Sequence, residues 1–480
     1  METKFTILSH ACLLLERGNT KIIIDPWLIG ACYWGSWWNF PEPQLNPQLL
    51  QEVDYVIISH VHWDHWHGLS LKKFFKGCHY IVPDEYQHRS YEDLKKLNIG
   101  PITQVKHAHT LALEDNIKIT CYNFGLFLND SAIVIETPEC KLLDANDCKI
   151  TGLPLKHIMK KHGHFDFALR SHSSANYRAC ITAGDDYQTD DPEHYARSFQ
   201  LFMNKVKPTY AIPFASNSCH LHKDTFKFNT LVTNPLRLQQ QIGDNPFPPA
   251  QLQIMLPGSS WSSLDGFSLQ STDCFNNVEE HLTTYQQRKM PVIENLYKKE
   301  RALKLDERAI TRHCEHLKSI PKIFRKKIAA HSLAYCVRHI DGDKQYYTVD
   351  LIDCKITTCD ENTYLKSDVR FDWPLQVLRD SIYKKMYHHA FISKRVLFYV
   401  PNATLLKPLQ IMIDSLERIE LGVFPLRAAY FWDMFKSYCV RYREIVVYFA
   451  AFYYAKIKKM PLYLVEERIA RGKVKKSREP

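Results

Sequence analysis

Three histidines and an aspartate fall within six positions, His60-Val-His62-Trp-Asp64-His65, with His67 two residues further on. Imidazole and carboxylate together suit zinc, iron or manganese. In a tight loop, residues two apart converge on one ion, while Asp64 and His65 turn towards a neighbouring one. The spacing predicts a metal centre of two ions rather than a histidine-rich surface. His67 lies outside the pattern and is expected at the surface or behind a ligand.

Such a centre needs further ligands from distant strand ends. Asp147, in the strand-then-loop segment Lys141-Leu-Leu-Asp-Ala-Asn-Asp147, is the leading candidate for a bridging carboxylate. Asp144 competes but lies within the strand reading. A late histidine is also expected, and Cys219-His220-Leu-His222 offers His220 or His222. Asp64 and Asp147 are the residues expected at the reacting centre.

The elements that must hold these groups alternate strand and turn. Phe5 to Leu8, Ala11 to Glu16 and Lys21 to Asp25 read as strands, and Asp54-Tyr-Val-Ile-Ile-Ser59 as a continuous apolar strand buried on both faces. That strand runs straight into the histidine loop, and Leu69 to Phe75 follows as a helix. Strands are expected at Ile117–Tyr122, Ala132–Glu136, Lys141–Asp144, Arg178–Ala183 and Tyr210–Pro213. A helix with Ala196, Phe199, Phe202 and Met203 inward lies between the last two. This is a layered α/β pattern. After the Pro-rich break at 243–249 the chain becomes helical and basic from Val278 to Lys327. A hairpin then joins Ala334–His339 to Gln345–Asp350, and aromatic-rich helices run from Leu426 to Lys459. The expected division is a first domain over 1–270 and a second, mixed α+β, over 275–480.

Composition narrows the class. With 480 residues, 45% hydrophobic and 24% charged, the chain can bury a full core. Its net charge of +10 fits an acidic small molecule, nucleic acid or anionic membrane. Residues 289–327 lack aromatics at stacking intervals, which counts against nucleic acid. The start of the sequence shows no apolar leader, and the longest apolar run, Ile445–Ala455, is too short to span a bilayer. The 14 cysteines have no framework spacing, so reduced thiols in a cytoplasmic protein are expected.

His60-x-His62-x-Asp64-His65 resembles the signature of the metallo-β-lactamase superfamily. Ser9-His10-Ala-Cys-Leu, Asp25-Pro-Trp-Leu28, Trp37-Trp38, Asp130 to Glu136, Asn146-Asp147-Cys148 and Pro213-Phe-Ala215 resemble, within it, the metallo-β-lactamase-like part of CMP-N-acetylneuraminate hydroxylase and its bacterial relatives. The likeness covers roughly the first 260 residues and thins beyond them. It implies a four-layer αββα sandwich with a dinuclear site at its rim. His60 and His62 would bind one ion, Asp64, His65 and a late histidine, taken as His222, the other, and Asp147 would bridge.

Two departures bear on the chemistry. Superfamily hydrolases supply a third histidine to the first ion, just before the bridging aspartate's strand. Here Tyr122 to Asp130 contains none, and Asp130 would supply a carboxylate instead. Two histidines and a carboxylate are a set associated with iron and oxygen. The hydroxylases also carry an N-terminal Rieske domain, whereas this sequence opens on the metallo-β-lactamase-like strands. Cys314-x-His316 and Cys336-x-x-His339 lack the Gly- and Pro-rich turns of a Rieske loop and read as coincidence. The favoured expectation is a diiron hydroxylase acting on an anionic sugar or nucleotide sugar, with electrons from another protein. The alternatives are a zinc hydrolase of a phosphodiester, amide or lactone, and a fold used only for binding.

The remaining candidates border this centre. His10, His172, Asn176 and His220 are expected near substrate or ligands, and Trp37 and Trp38, with Trp27 and Trp34, are read as a sugar-binding wall or as core. Asp185 and Asp186 are weak strand-end acids. The terminal aromatic helices, with Lys456, Lys458 and Lys459, would meet a membrane surface or, as the commoner use, be buried in the second domain.

Overall fold

The computed structural model describes residues 1–184, 191–243, 247–458, 460 and 462–471. Asp185, Asp186, Lys459 and most of the tail from 471 therefore lie outside the described residues.

An eight-stranded sheet is ordered Gly266–Ser268, Ser260–Ser262, Thr3–Ile7, Leu13–Arg17, Thr20–Ile24, Tyr55–Ile57, His79–Pro83 and Ile102–Val105. A seven-stranded sheet is ordered Gln251–Leu252, Tyr210–Pro213, Phe167–Arg170, Lys141–Asp144, Asp130–Glu136, Lys118–Phe124 and Thr110–Ala112. Alternating side chains decide the layers. Phe5, Ile7, Ile22, Ile24 and Ile57 from the first sheet meet Ile119, Cys121, Ile133, Ile135 and Leu169 from the second in one core. On the outer faces, Val56, Ile58 and Tyr80 pack with Leu71 and Leu94 of two helices, and Val134, Leu143 and Ala168 pack with Leu155, Phe199 and Met203 of two others. Helix, sheet, sheet and helix therefore stack as the αββα sandwich.

The strand Tyr55–Ile57 lies between two parallel neighbours and is covered on both sides, which accounts for its unbroken apolar run. The histidine loop leaves its C-terminal end. A short three-stranded sheet pairs Ser218–His220 with Trp37–Asn39 in antiparallel register, setting His220 opposite Trp37.

A six-stranded sheet follows, with the expected hairpin Leu333–Arg338 to Lys344–Asp350 at its centre. Two expectations are corrected here. Only Ile181–Ala183 of the segment 178–183 is extended, and it pairs with Leu397–Val400 at the edge of this sheet, not with the sandwich. The six-stranded sheet is thus built from both sides of residue 270. The helices Ala428–Val440 and Tyr442–Phe452 are not buried throughout: they lie against the sandwich and leave Phe431, Trp432, Phe435 and Phe449 exposed.

Buried charge ties segments far apart in the chain. The Arg395 guanidinium donates to Asp224 and to Glu300, each at 2.9 Å, and Arg338 donates to Asp224 and Asp372.

Candidate metal centre

Three strand-end loops surround the histidine motif, and each contains a residue forced into the left-handed region: Asp25 (φ 48°), Asn146 (φ 45°) and Ala215 (φ 48°). Such conformations persist only where surrounding contacts fix them. Asp25 shows how. Its carboxylate accepts from the Ser59 N–H at 2.7 Å, the Ser59 hydroxyl, the Asn146 amide at 3.1 Å and the His65 Nδ1–H at 2.7 Å. It therefore ties its own loop to the histidine loop and to the Asn146 loop, and fixes the His65 ring with Nε2 turned inward.

Three groups of ligand atoms result, one of them Asp25, His60 and His65 and the other two open to the centre. In one of these two, His60, His62 and Asp147 bring a ligand atom each within 4.8 Å of one another. His60 Nε2 faces His62 Nδ1 at 2.8 Å, and Asp130 Oδ1 lies 3.9 Å from His60 Nε2. That oxygen is buried and hydrogen-bonds to no described residue. In the other, His10, Asp64 and His65 meet the same 4.8 Å condition. Asp64 Oδ2 is 3.1 Å from His10 Nε2 and 3.7 Å from His65 Nε2. Asp147 Oδ2 stands 3.4 Å from His65 Nε2, so Asp147 belongs to both neighbourhoods. Asp144 joins neither: its Oδ1 accepts from the Asn146 N–H at 3.2 Å.

The electrostatics call for cations. Burial pushes His60 down to about 4, and burial followed by the neighbouring His60 and His388 rings holds His62 well below its ordinary value. Both are neutral donors near pH 7. Burial and then the charge of Asp147 push Asp130 up to about 7. Burial opposes ionisation of Asp64, but His65 and His10 hold it well below the usual carboxylate range. Burial likewise opposes a charge on His65, yet Asp25 and Asp64 raise it well above its ordinary value. A buried set of carboxylates thus draws a positive charge to the point where an ion would sit. The orphaned Asp130 oxygen, the neutral imidazoles and the doubly placed Asp147 all fit two cations.

The elements behind the ligands were not all legible in advance. His388 stands on the helix Tyr387–Ile392, more than 300 residues from the motif, with its Nε2 2.9 Å from His62 Nε2 and its Nδ1 3.0 Å from Glu417. Because His62 turns Nδ1 to the cluster, its Nε2 is left for this outer chain, a carboxylate–histidine support of the kind that fixes ligand tautomers. His389 pairs with Glu420, and its Nε2 lies 3.2 Å from Val61 O in the loop itself. Tyr33 donates to Asp64 Oδ1 at 2.6 Å.

The late histidine needs correction. His222 does not reach the centre: its ring packs on Tyr297, Nδ1 is 3.6 Å from Asp224 and Nε2 is 4.0 Å from Glu300, within the buried ion-pair network. His220 lines one cleft with His10, Trp37, Asp64 and Asp147 and replaces it as the candidate. His67 is a helix cap, its ring accepting from the Ser70 N–H at 3.4 Å. His172 is buried beside Phe199, near the charges of His10 and Asp147. Asn176 closes a turn by accepting from the Arg178 N–H. Trp37 borders the cleft, whereas Trp38 is core against Tyr285. No cysteine joins a candidate metal group among the described residues. His313 and His316 instead both meet Tyr387 Oη at 2.8 Å.

A second opening reaches the first cluster. A cavity of about 350 Å³ runs from Asp130 between Leu155, Phe202, Val447 and Ile469. Its wall is mostly apolar, with Lys149, Arg170 and Lys205 among the lining residues.

Residues 4–167 match the family described as the beta-lactamase superfamily domain. Among curated proteins, the chain is similar to the cytidine monophosphate-N-acetylneuraminic acid hydroxylase of Pan troglodytes, 40% identical over 154 residues, which are 31% of this chain and 26% of that one. The Xenopus laevis protein of the same name is 29% identical over 153 residues, with the same shares. A putative Rieske 2Fe-2S iron-sulfur protein of Mycolicibacterium smegmatis is 24% identical over 319 residues, 60% of each chain. The chain thus spans about a quarter of the hydroxylases' length. Among solved structures, a metallo hydrolase from the archaeon Ignicoccus hospitalis aligns with TM-score 0.39 and 17% identity over 55% of this chain and 98% of that one. A diiron beta-hydroxylase from Streptomyces venezuelae aligns with TM-score 0.38 and 14% identity over 54% and 53%.

Proposed function

We propose that this chain, whose residues 4–167 match the beta-lactamase superfamily domain, is a dinuclear metalloenzyme of the hydroxylase kind acting on an anionic substrate. The observation that carries this reading is Asp130. At the place where hydrolases of this fold offer a third histidine, its unpartnered carboxylate oxygen lies 3.9 Å from His60 Nε2. Two histidines and a carboxylate favour iron. His60, His62 and Asp130 would hold one ion, His10, Asp64, His65 and His220 the other, and Asp147 would bridge. Two bound iron ions would supply oxygen activation, whereas two zinc ions would supply a hydroxide nucleophile.

The protein's own part is positioning. Asp25 fixes the His65 tautomer and His388 fixes that of His62. Tyr33 holds Oδ1 of Asp64 and leaves Oδ2 for the ion. The relatives named as hydroxylases suggest an anionic sugar or nucleotide sugar as substrate, and Lys149, Arg170 and Lys205 complement its charge. Hydroxylation also needs two electrons for each oxygen molecule consumed, so the reading includes an electron-transfer domain or protein outside this sequence.

The second reading, a zinc hydrolase of a phosphodiester, amide or lactone, draws on the cluster His10, Asp64 and His65, an ordinary zinc set. Oxygen uptake separates the two. Protein reduced without air and then mixed with oxygenated buffer is expected to consume oxygen in proportion to its iron. No uptake by the iron-loaded protein, together with hydrolysis of a model phosphodiester or lactone by the zinc-loaded one, would establish the second reading instead.

A further inference from the structure

The helices Ala428–Val440 and Tyr442–Phe452 have one committed side and one bare side. On the committed side, Tyr438 donates to the carbonyls of Gly125 and Leu126, Arg441 reaches Asn129, and Glu444 accepts from the Gly125 N–H. On the other, Phe431, Trp432 and Phe435 on the first helix and Val446, Phe449 and Tyr453 from the second onward repeat at helical spacing and stand exposed, Trp432 at 58% and Phe449 at 69%. Single exposed apolar residues are ordinary, but a patch built from two adjoining helices marks an interaction surface.

Its charges choose the partner. Arg427, Lys436, Lys456 and Lys458 are exposed around the aromatics, and Lys436 lies 5.4 Å from the Trp432 ring. The acids in the same stretch are Asp433, 3.6 Å from Lys436, and Glu444, buried against Arg441. Aromatic rings with lysines beside them match the boundary between acyl chains and anionic headgroups. No described helix is long and apolar enough to cross a membrane, so contact would be with one leaflet. The inner side of the Tyr442–Phe452 helix adds an independent observation. Val447, Tyr448 and Ala451 wall the apolar cavity that reaches Asp130, so a lipid surface on the outer side stands one helix away from it.

We propose that the outer side of these two helices docks on an anionic membrane surface, the aromatics entering the headgroup–acyl boundary and the lysines and Arg427 meeting lipid phosphates. Flotation of the full chain with phosphatidylcholine vesicles, with and without phosphatidylglycerol, tests it. Co-flotation is expected with the anionic vesicles and falls with added salt. Trp432→Ser with Phe449→Ser is expected to lower the bound fraction by about tenfold while leaving the metal content unchanged. Lys456→Gln with Lys458→Gln is expected to weaken binding to anionic vesicles only. Absence of co-flotation, or equal binding by the Trp432→Ser, Phe449→Ser variant, overturns the proposal. A chain that leaves the vesicles alone but forms a dimer in sedimentation, lost in the same variant, assigns the face to a second copy instead.

Discussion

Replacing Asp25 by asparagine isolates the part of the centre that is not a ligand. Asparagine tolerates the left-handed backbone at φ 48°, so the fold is kept. Its carbonyl can still accept from the Ser59 N–H. Its amide, however, now faces the His65 Nδ1–H and the Asn146 amide, donor against donor. His65 escapes by moving its proton to Nε2, which removes the lone pair needed for a metal, or by giving up the bond. A hydrogen bond to a charged group is worth about 1.5–3 kcal/mol. At about 1.4 kcal/mol per factor of ten, the second ion is bound about 10–100-fold more weakly. Titration of the metal-free protein with cobalt against a chelating dye reads both sites. The expected result is that loss at one site with the other, held by His60, His62 and Asp130, nearly unchanged. Two unchanged affinities, or equal loss at both sites, would refute the reasoning that Asp25 acts through His65.

Removing Arg395 as Arg395→Met leaves Glu300 and Asp224 without their shared cation and is expected to cost about 3–5 kcal/mol in urea unfolding. Glu420 sets an acid limit: burial alone would raise it, but His389 and Arg89 hold it at about 2 against an ordinary 4.5. In that window the unfolded chain binds the extra proton. The contribution, about 3 kcal/mol, is therefore complete above pH about 4.5 and lost as pH falls towards 2. Denaturation followed against pH should show that slope in the parent chain and not in Glu420→Gln. His220→Gln is expected to lower the occupancy of one ion measured by mass spectrometry, whereas His222→Gln leaves metal content intact.

The sandwich and the histidine loop were legible because both are local. The apolar run 54–59 reads as a strand covered on two faces, and His60, His62, Asp64 and His65 sit on the loop that leaves it. Asp147 rather than Asp144 lies near His60 and His62, since one stands on the loop and the other within the strand. His388 and His389 were not, because a short helix far along the chain carries no spacing that names its partner. The role of Asp25 rests on a backbone angle and on four donors from three residues elsewhere. Ile181–Ala183 is too short to declare which sheet it joins. The aromatic helices read as core because periodicity finds an apolar face without saying what covers it. His222 and His220 share one strand-end segment, and only the pairing of His220 with Trp37 decides which of them turns to the cleft.

The proposed centre is two iron ions between His60, His62, Asp130, Asp64 and His65, with Asp147 shared. Metal analysis of protein purified without added metal, with its optical spectrum, decides whether that centre exists. Two iron per chain with near-ultraviolet and visible absorption, both lost in Asp147→Ala, is the predicted result. Two zinc with no visible absorption, or iron unchanged in Asp147→Ala, would contradict it.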